Sequence, residues 1–194
     1  MGDLTEIRIE GRGGQGNVVA AYMLARAAFE DGRFAQAYPS FGPERRGAPV
    51  SAFVRISEEP IKRRCRINEP RYVIIQDSSL LHVPNICSGI HADGGVLINS
   101  SKEVERSRFP GISHVTTIPA TSMALHVLGE PIPNAALLAA FLTLTDLVPL
   151  VALEKVFAHR FHGEELESNL RLIQEASSYV ARSSWKDRGH AAAD

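Results

Sequence analysis

Residues 11–16 read Gly-Arg-Gly-Gly-Gln-Gly. Four glycines in six residues remove the Cβ atoms that would hold a ligand's oxygens away from the backbone. The alternating run Glu6-Ile7-Arg8-Ile9-Glu10 precedes them and Asn17-Val18-Val19-Ala20-Ala21 follows, so the segment reads as strand, glycine loop and helix. The first N–H groups of such a helix have no intrahelical acceptor, which makes the loop a seat for a phosphate or carboxylate.

Gly11, Gly13 and Gly16 fit the G-x-G-x-x-G spacing of dinucleotide sites. The acid that should close the second strand and hold a ribose is missing. Glu30 and Asp31 fall at the end of the first helix, and the second strand ends in Tyr38-Pro39-Ser40. No Gly-Lys-Ser/Thr follows the glycines, which excludes a P-loop.

A second loop is expected to share this edge. Residues 39–49 contain three prolines and two glycines, which break helix and strand alike. The loop after a second parallel strand emerges at the same carboxyl edge as the first. Arg45 and Arg46 lie in it and can grip phosphates through paired hydrogen bonds. Glu44 reads as a carboxylate that orients one of them, and the plainer alternative for the pair is a solvated turn.

The elements that position these loops follow from periodicity. Residues 16–31 form an amphipathic helix with Val18, Val19, Met23, Leu24, Ala27 and Ala28 on one side, ended by Gly32. Residues 34–38 give a short second strand, and the β-loop-α-β order predicts parallel pairing with the first. Residues 50–56 alternate, and residues 61–67 are a second, more basic strand candidate after the turn at Glu58-Glu59-Pro60, together a hairpin insertion. Residues 72–76, 94–99 and 113–118 read as buried parallel strands. Helices are expected over 120–128, 134–148, 149–161 and 164–183. The one from Asn134 is apolar all round, so it is either buried or meets another chain. The fold class is α/β: a Rossmann-like, open, mostly parallel sheet with flanking helices and a β-hairpin insertion.

Composition bounds the rest. The chain has 194 residues, 44% of them hydrophobic, which suits one domain over residues 1–185 with a flexible tail at 186–194. A net charge of −1 excludes a generally basic nucleic-acid binder. Eight cations stand against four acids between Pro43 and Arg71, a local basic patch. Cys65 and Cys87 form no C-x-x-C pair for zinc or an iron–sulfur cluster, and no metal site is expected. Cys65 reads as an ordinary strand residue. Among the histidines only His159 and His162 approach ligand spacing, and that pair reads as a helix end. Ser78 and Ser79 after Asp77 read as helix caps rather than nucleophiles. Two lone cysteines do not suggest a disulfide-dense secreted scaffold and no signal-like segment precedes the first strand, so the chain is expected in the cytoplasm. No apolar run reaches the roughly 18 residues that span a bilayer, and neither membrane nor nucleic acid is expected as partner.

The glycine loop after a first strand, Phe-Gly-Pro-Glu-Arg-Arg-Gly-Ala-Pro-Val over residues 41–50 and Asn134-x-x-x-Leu138 opening an apolar helix together resemble the gamma subunit of the 2-oxoacid:acceptor oxidoreductases. The resemblance covers about residues 6–180. It implies a complex that oxidatively decarboxylates a 2-oxoacid to an acyl-CoA. Thiamine diphosphate with Mg2+ and [4Fe-4S] clusters would lie in partner subunits, FAD in a further subunit where NAD replaces ferredoxin as acceptor. Carried over by position, Gly13, Gly14, Gln15 and Gly16 would contact coenzyme A through backbone and amide groups. Arg45 and Arg46 would hold its phosphates or brace an interface, and the helix from Asn134 would be buried, partly against a partner subunit. No acid–base pair or activated nucleophile stands out, so catalysis is expected to reside in the partners. The competing expectation is a free-standing, Rossmann-like nucleotide or flavin binder.

Overall fold

The computed structural model describes residues 4–40 and 47–186. Among them a six-stranded sheet runs in the order β2-β3-β1-β4-β5-β6. Its strands are β1 (Thr5–Arg12), β2 (Phe34–Pro39), β3 (Pro49–Ser57), β4 (Tyr72–Ile75), β5 (Gly95–Asn99) and β6 (His114–Ile118). The helices are α1 (Asn17–Glu30), α2 (Ala120–Leu128), α3 (Asn134–Thr145), α4 (Leu150–Arg160) and α5 (Gly163–Tyr179). β1, β4, β5 and β6 pair in parallel, whereas β3 is antiparallel to both β1 and β2.

The expected parallel pairing of the first two strands does not occur, because β3 lies between them. Val54 pairs with Ile7 on one side and with Ala37 on the other. Burial explains the exchange. Ala52, Val54 and Ile56 of β3 are fully covered and need a neighbour on each flank, while β2 is only half-buried and suits the edge. β2 still runs in the same direction as β1, so its loop leaves at the same edge as the glycine loop.

The hairpin insertion is therefore β2–β3, and residues 61–67 are not a strand. Side chains from the sheet take the backbone acceptors that a strand would need. Arg55 donates to the carbonyls of Cys65 at 2.6 Å and Arg63 at 3.4 Å, and Gln36 donates to that of Ile61 at 3.1 Å. Arg55 is 0% exposed and is neutralised by Glu6 at 2.7 Å.

All five helices join one core against Ile7, Ile9, Val54, Ile74, Leu97 and Ile118. α3 lies at its centre, packed against α5 and flanked by α1, α2 and α4. Every residue of it but Thr143 is buried within this chain, so its apolarity needs no partner subunit. Val73, Ile75, Val96 and Ile98 face the other way and are covered by Leu80 and Phe109, from connections that carry only short 3-10 turns. Trp185 is 2% exposed, stacks on Tyr72 and His114 and donates to Thr116 Oγ1 at 3.2 Å. Lys186 pairs with Asp146 at 3.0 Å, and residues 187–194, the rest of the expected tail, lie outside the described residues.

Replacing Arg55 by Met should cost about 3–5 kcal/mol, since Glu6 and the carbonyl of Cys65 lose their buried partner. Urea denaturation followed by the emission of the single tryptophan, which reports the covered Trp185 site, measures it.

Candidate functional site

The carboxyl edge of β1 and β4 is built around Arg12, the last residue of β1. Its Nε lies 3.1 Å from Asp77 Oδ2, its Nη2 donates to Ser79 Oγ at 2.7 Å and its Nη1 to the carbonyl of Gly47 at 2.9 Å. Gln15 closes the turn. Its Oε1 accepts the Arg12 N–H at 2.7 Å and its Nε2 donates to Asp77 Oδ2 at 3.0 Å. Burial by itself would raise the Asp77 carboxyl. The hydrogen bonds from Ser79 and Gln15 and the Arg12 charge outweigh it and hold the group below the usual carboxylate range. Asp77, rather than the serines after it, caps the 3-10 turn Ser78–His82 by accepting the Ser79 N–H at 2.9 Å.

The glycine loop needs its glycines for two reasons. Gly14 and Gly16 have φ of +95° and +78°, which disfavour any side chain. A Cβ on Gly16 would also stand 2.8 Å from Asn134 Nδ2, and one on Gly11 would run into the Asn17 amide. Asn17 donates to the carbonyl of Val50 at 2.7 Å, tying the start of α1 to β3. Gly16 is the N-cap of α1, and no side chain caps the helix.

Two hollows flank this edge. One is a mostly apolar cleft of about 690 Å³ between Gly14 and Gly16, Val19 and Met23 of α1, Ile132, and Phe157 and Phe161, with exposed Arg160 also lining it. The other is a polar hollow of about 390 Å³ lined by Asp77, Asn99, Ser100, Ser101 and Ser122. Gln15, Gln76 and Thr121 form walls of both.

Of the residues singled out in the sequence, Gly14, Gln15 and Gly16 line the cleft. Gly13 is turned to the neighbouring loop, donating to the carbonyl of Ala48 at 2.9 Å and accepting the Gly47 N–H at 3.3 Å. Arg45 and Arg46 lie outside the described residues, but the described end of their segment, Gly47-Ala48, is bonded to the glycine loop. The side-chain amide of Gln15 and its N–H are engaged within the loop, the latter with the carbonyl of Arg12 at 3.0 Å.

Sequence reasoning missed Gln76, and it took Asn134 only as the opening of a motif and a helix, without a place in the site. An amide directly after the apolar β4, and another opening an otherwise apolar helix, were the available signals. Cys65 lies exposed and Cys87 half-buried; burial pushes the Cys87 thiol up to about 11, which leaves it protonated and unreactive. His159, in the last turn of α4, approaches Glu30 at 4.0 Å, and His162 precedes α5. No group of three or more metal-ligating side chains occurs among the described residues, and no helix there is long and apolar enough to cross a membrane.

Residues 6–179 match the family model described as pyruvate ferredoxin/flavodoxin oxidoreductase. The pyruvate synthase subunit PorC of Methanocaldococcus jannaschii is 46% identical over 173 residues, which are 89% of this chain and 95% of that protein. The common gamma subunit of the pyruvate and ketoisovalerate oxidoreductases of Pyrococcus abyssi is 43% identical over 178 residues, with 89% and 95% covered. Among solved structures, the pyruvate oxidoreductase subunit PORC of Thermotoga maritima superposes with a TM-score of 0.81 at 36% identity, over 90% of this chain and 96% of that one.

The Asp77 geometry sets a pH dependence. Its carboxyl is lowered on folding, so its contribution is complete above the unfolded value of about 3.9 and is lost as pH falls through the folded value. Asp77→Asn keeps the cap and removes the charge. Relative to wild type it should lose up to about 1 kcal/mol at pH 7, and the difference should shrink in urea titrations as pH is lowered below about 3.9.

Proposed function

The chain belongs to the pyruvate ferredoxin/flavodoxin oxidoreductase family, as a gamma subunit of a 2-oxoacid:ferredoxin oxidoreductase complex, and we propose that its glycine loop and cleft bind coenzyme A for that complex. One observation carries the reading: the uncapped N-terminus of α1, turned through two left-handed glycines, opens on the 690 Å³ cleft. The residues present suit the ligand. Free N–H groups at the start of a helix attract a pyrophosphate, and Arg160 adds a cation at the cleft. Val19, Met23, Ile132 and Phe157 give apolar cover to the long thiol-bearing arm. Arg45 and Arg46 follow the same logic, in a segment whose described end is held against Gly13.

In this proposal the chain binds and orients, while bond making belongs to partner subunits. Thiamine diphosphate with Mg2+ supplies the decarboxylation chemistry there, and [4Fe-4S] clusters carry electrons towards ferredoxin. Two cysteines in the whole chain are too few to ligate such a cluster here.

Assembly is the second half of the proposal. With α3 buried internally, the exposed apolar stripe of α1 is the better candidate for a partner-facing surface. Val19, Tyr22 and Phe29 follow helical spacing, with Tyr22 53% and Phe29 64% exposed. The stripe begins beside the cleft, so a partner seated on it would stand next to the bound ligand.

Two variants of the affinity-purified, oxygen-free complex separate these roles. Gly14→Asp, which places an anion and a strained residue in the seat, should weaken coenzyme A binding about tenfold or more with the complex intact. Unchanged affinity would refute the coenzyme A reading, and Arg46→Ala extends the test, since loss of assembly there would make that arginine a brace. Phe29→Glu should instead abolish co-purification of the partner subunits while leaving the thermal unfolding of the isolated chain within a few degrees of wild type.

A further inference from the structure

Gln76 follows β4 immediately and is 3% exposed. Most of its bonding groups are committed: its N–H donates to the carbonyl of Glu10 at 2.8 Å, its carbonyl accepts from Asn99 Nδ2 at 2.8 Å and its Nε2 donates to Asn134 Oδ1 at 3.0 Å. Oε1 has no partner among the described residues. A buried acceptor without a donor is costly and rare, and here it belongs to a side chain that walls both hollows. The other shared walls are already engaged. Gln15 uses both ends of its amide, and Thr121 Oγ1 accepts from Asn99 at 2.7 Å. Oε1 is sealed from solvent as it stands; the terminal torsion of a glutamine is broad, and turning the amide about it brings Oε1 to the cleft wall while giving up the bond from Nε2 to Asn134.

We infer that Gln76 is a specificity-determining residue, whose Oε1 accepts a hydrogen bond from a ligand amide N–H in the cleft. Resting on the coenzyme A reading, the donor is an amide N–H of the pantetheine arm. Such a donor satisfies an acceptor that otherwise goes unpaired. A ligand with oxygen at the same position sets two acceptors against each other, and sites built this way discriminate strongly.

The test is a calorimetric titration of the assembled complex with coenzyme A and with analogues in which a pantetheine amide is replaced by an ester, which keeps the shape and removes the N–H. Wild type should prefer coenzyme A to at least one analogue by about tenfold or more. Gln76→Met should lose that preference to within about twofold, whereas Gln76→Glu, which keeps an acceptor, should retain it. Because the preference is a ratio taken within each variant, a general loss of affinity or stability does not imitate the result. Tight coenzyme A binding without any preference in wild type, or the same preference in Gln76→Met, would overturn the inference. If Gly14→Asp abolishes binding while Gln76→Met still discriminates, only the role of Gln76 falls. If Gly14→Asp binds as wild type does, the coenzyme A reading fails and takes this inference with it.

Discussion

The edge of this sheet depends on the close approach of Asn134 to Gly16. A glycine is required there by its left-handed φ and by the 2.8 Å that a Cβ would leave to the Asn134 amide. From that contact a line of amides crosses the sheet. Asn134 Nδ2 donates to the carbonyl of Gly16 at 3.4 Å, Gln76 donates to Asn134, Asn99 donates to the carbonyl of Gln76, and the Thr121 N–H donates to Asn99 Oδ1 at 3.1 Å. The glycine loop, α3, β4, β5 and the start of α2 are thereby fixed to one another by polar groups. The link between Gln76 and Asn134 is buried and the others are partly covered, so losing that one leaves its partners unpaired away from water.

The two faces of the sheet are held by different forces. Odd positions of β1, Ile7 and Ile9, feed the helical core, while its even positions Glu6, Arg8, Glu10 and Arg12 are charged, Arg8 and Glu10 buried and the other two partly covered. A helix needs no donors from the sheet, because its own backbone is satisfied, whereas an irregular segment brings carbonyls that must be paired. The charged face supplies the donors: Arg8 to the carbonyls of Ile86 and Ser88, and Arg55 to those of Arg63 and Cys65. Burial raises the Glu10 carboxyl, while the hydrogen bond from Ser51 and the Arg8 charge pull the other way. That is why coil, rather than helix, covers these strands.

Local chemistry was legible in the sequence, and non-local pairing was not. The strand-glycine-helix opening, the apolar strands and the ends of α1 and α2 each follow from periodicity or a breaking residue such as Gly32 or Gly129. The insertion of β3 between β1 and β2 leaves no mark in a single strand's pattern, since alternation fixes which side faces the core and not which strand lies alongside. Residues 61–67 alternate well enough to suggest a strand, yet the deciding group is Arg55, which lies in the preceding strand and is buried against expectation. For the same reason the glycine loop was found and its supporting amides were not. Gln76 and Asn134 carry no catalytic signature, and their role arises only when the fold brings β4 and α3 together.

On the proposed coenzyme A reading, a subunit that binds and orients contributes only through the accuracy of its placement. Holding a reactant in position can account for many orders of magnitude in rate, and an error of about an ångström forfeits much of it. The architecture meets that demand by putting the candidate seat on strand ends and helix starts. Arg12, Gln15 and Asp77 close a ring around the first turn, and Gly13 is bonded to Ala48 across the adjoining loop. Since Asp77 is held ionised at neutral pH and Gln15 is occupied at both ends, neither is free to act as an acid or base towards a ligand. The polar groups of this edge are spent on rigidity, which is what a positioning role in a larger oxidoreductase requires.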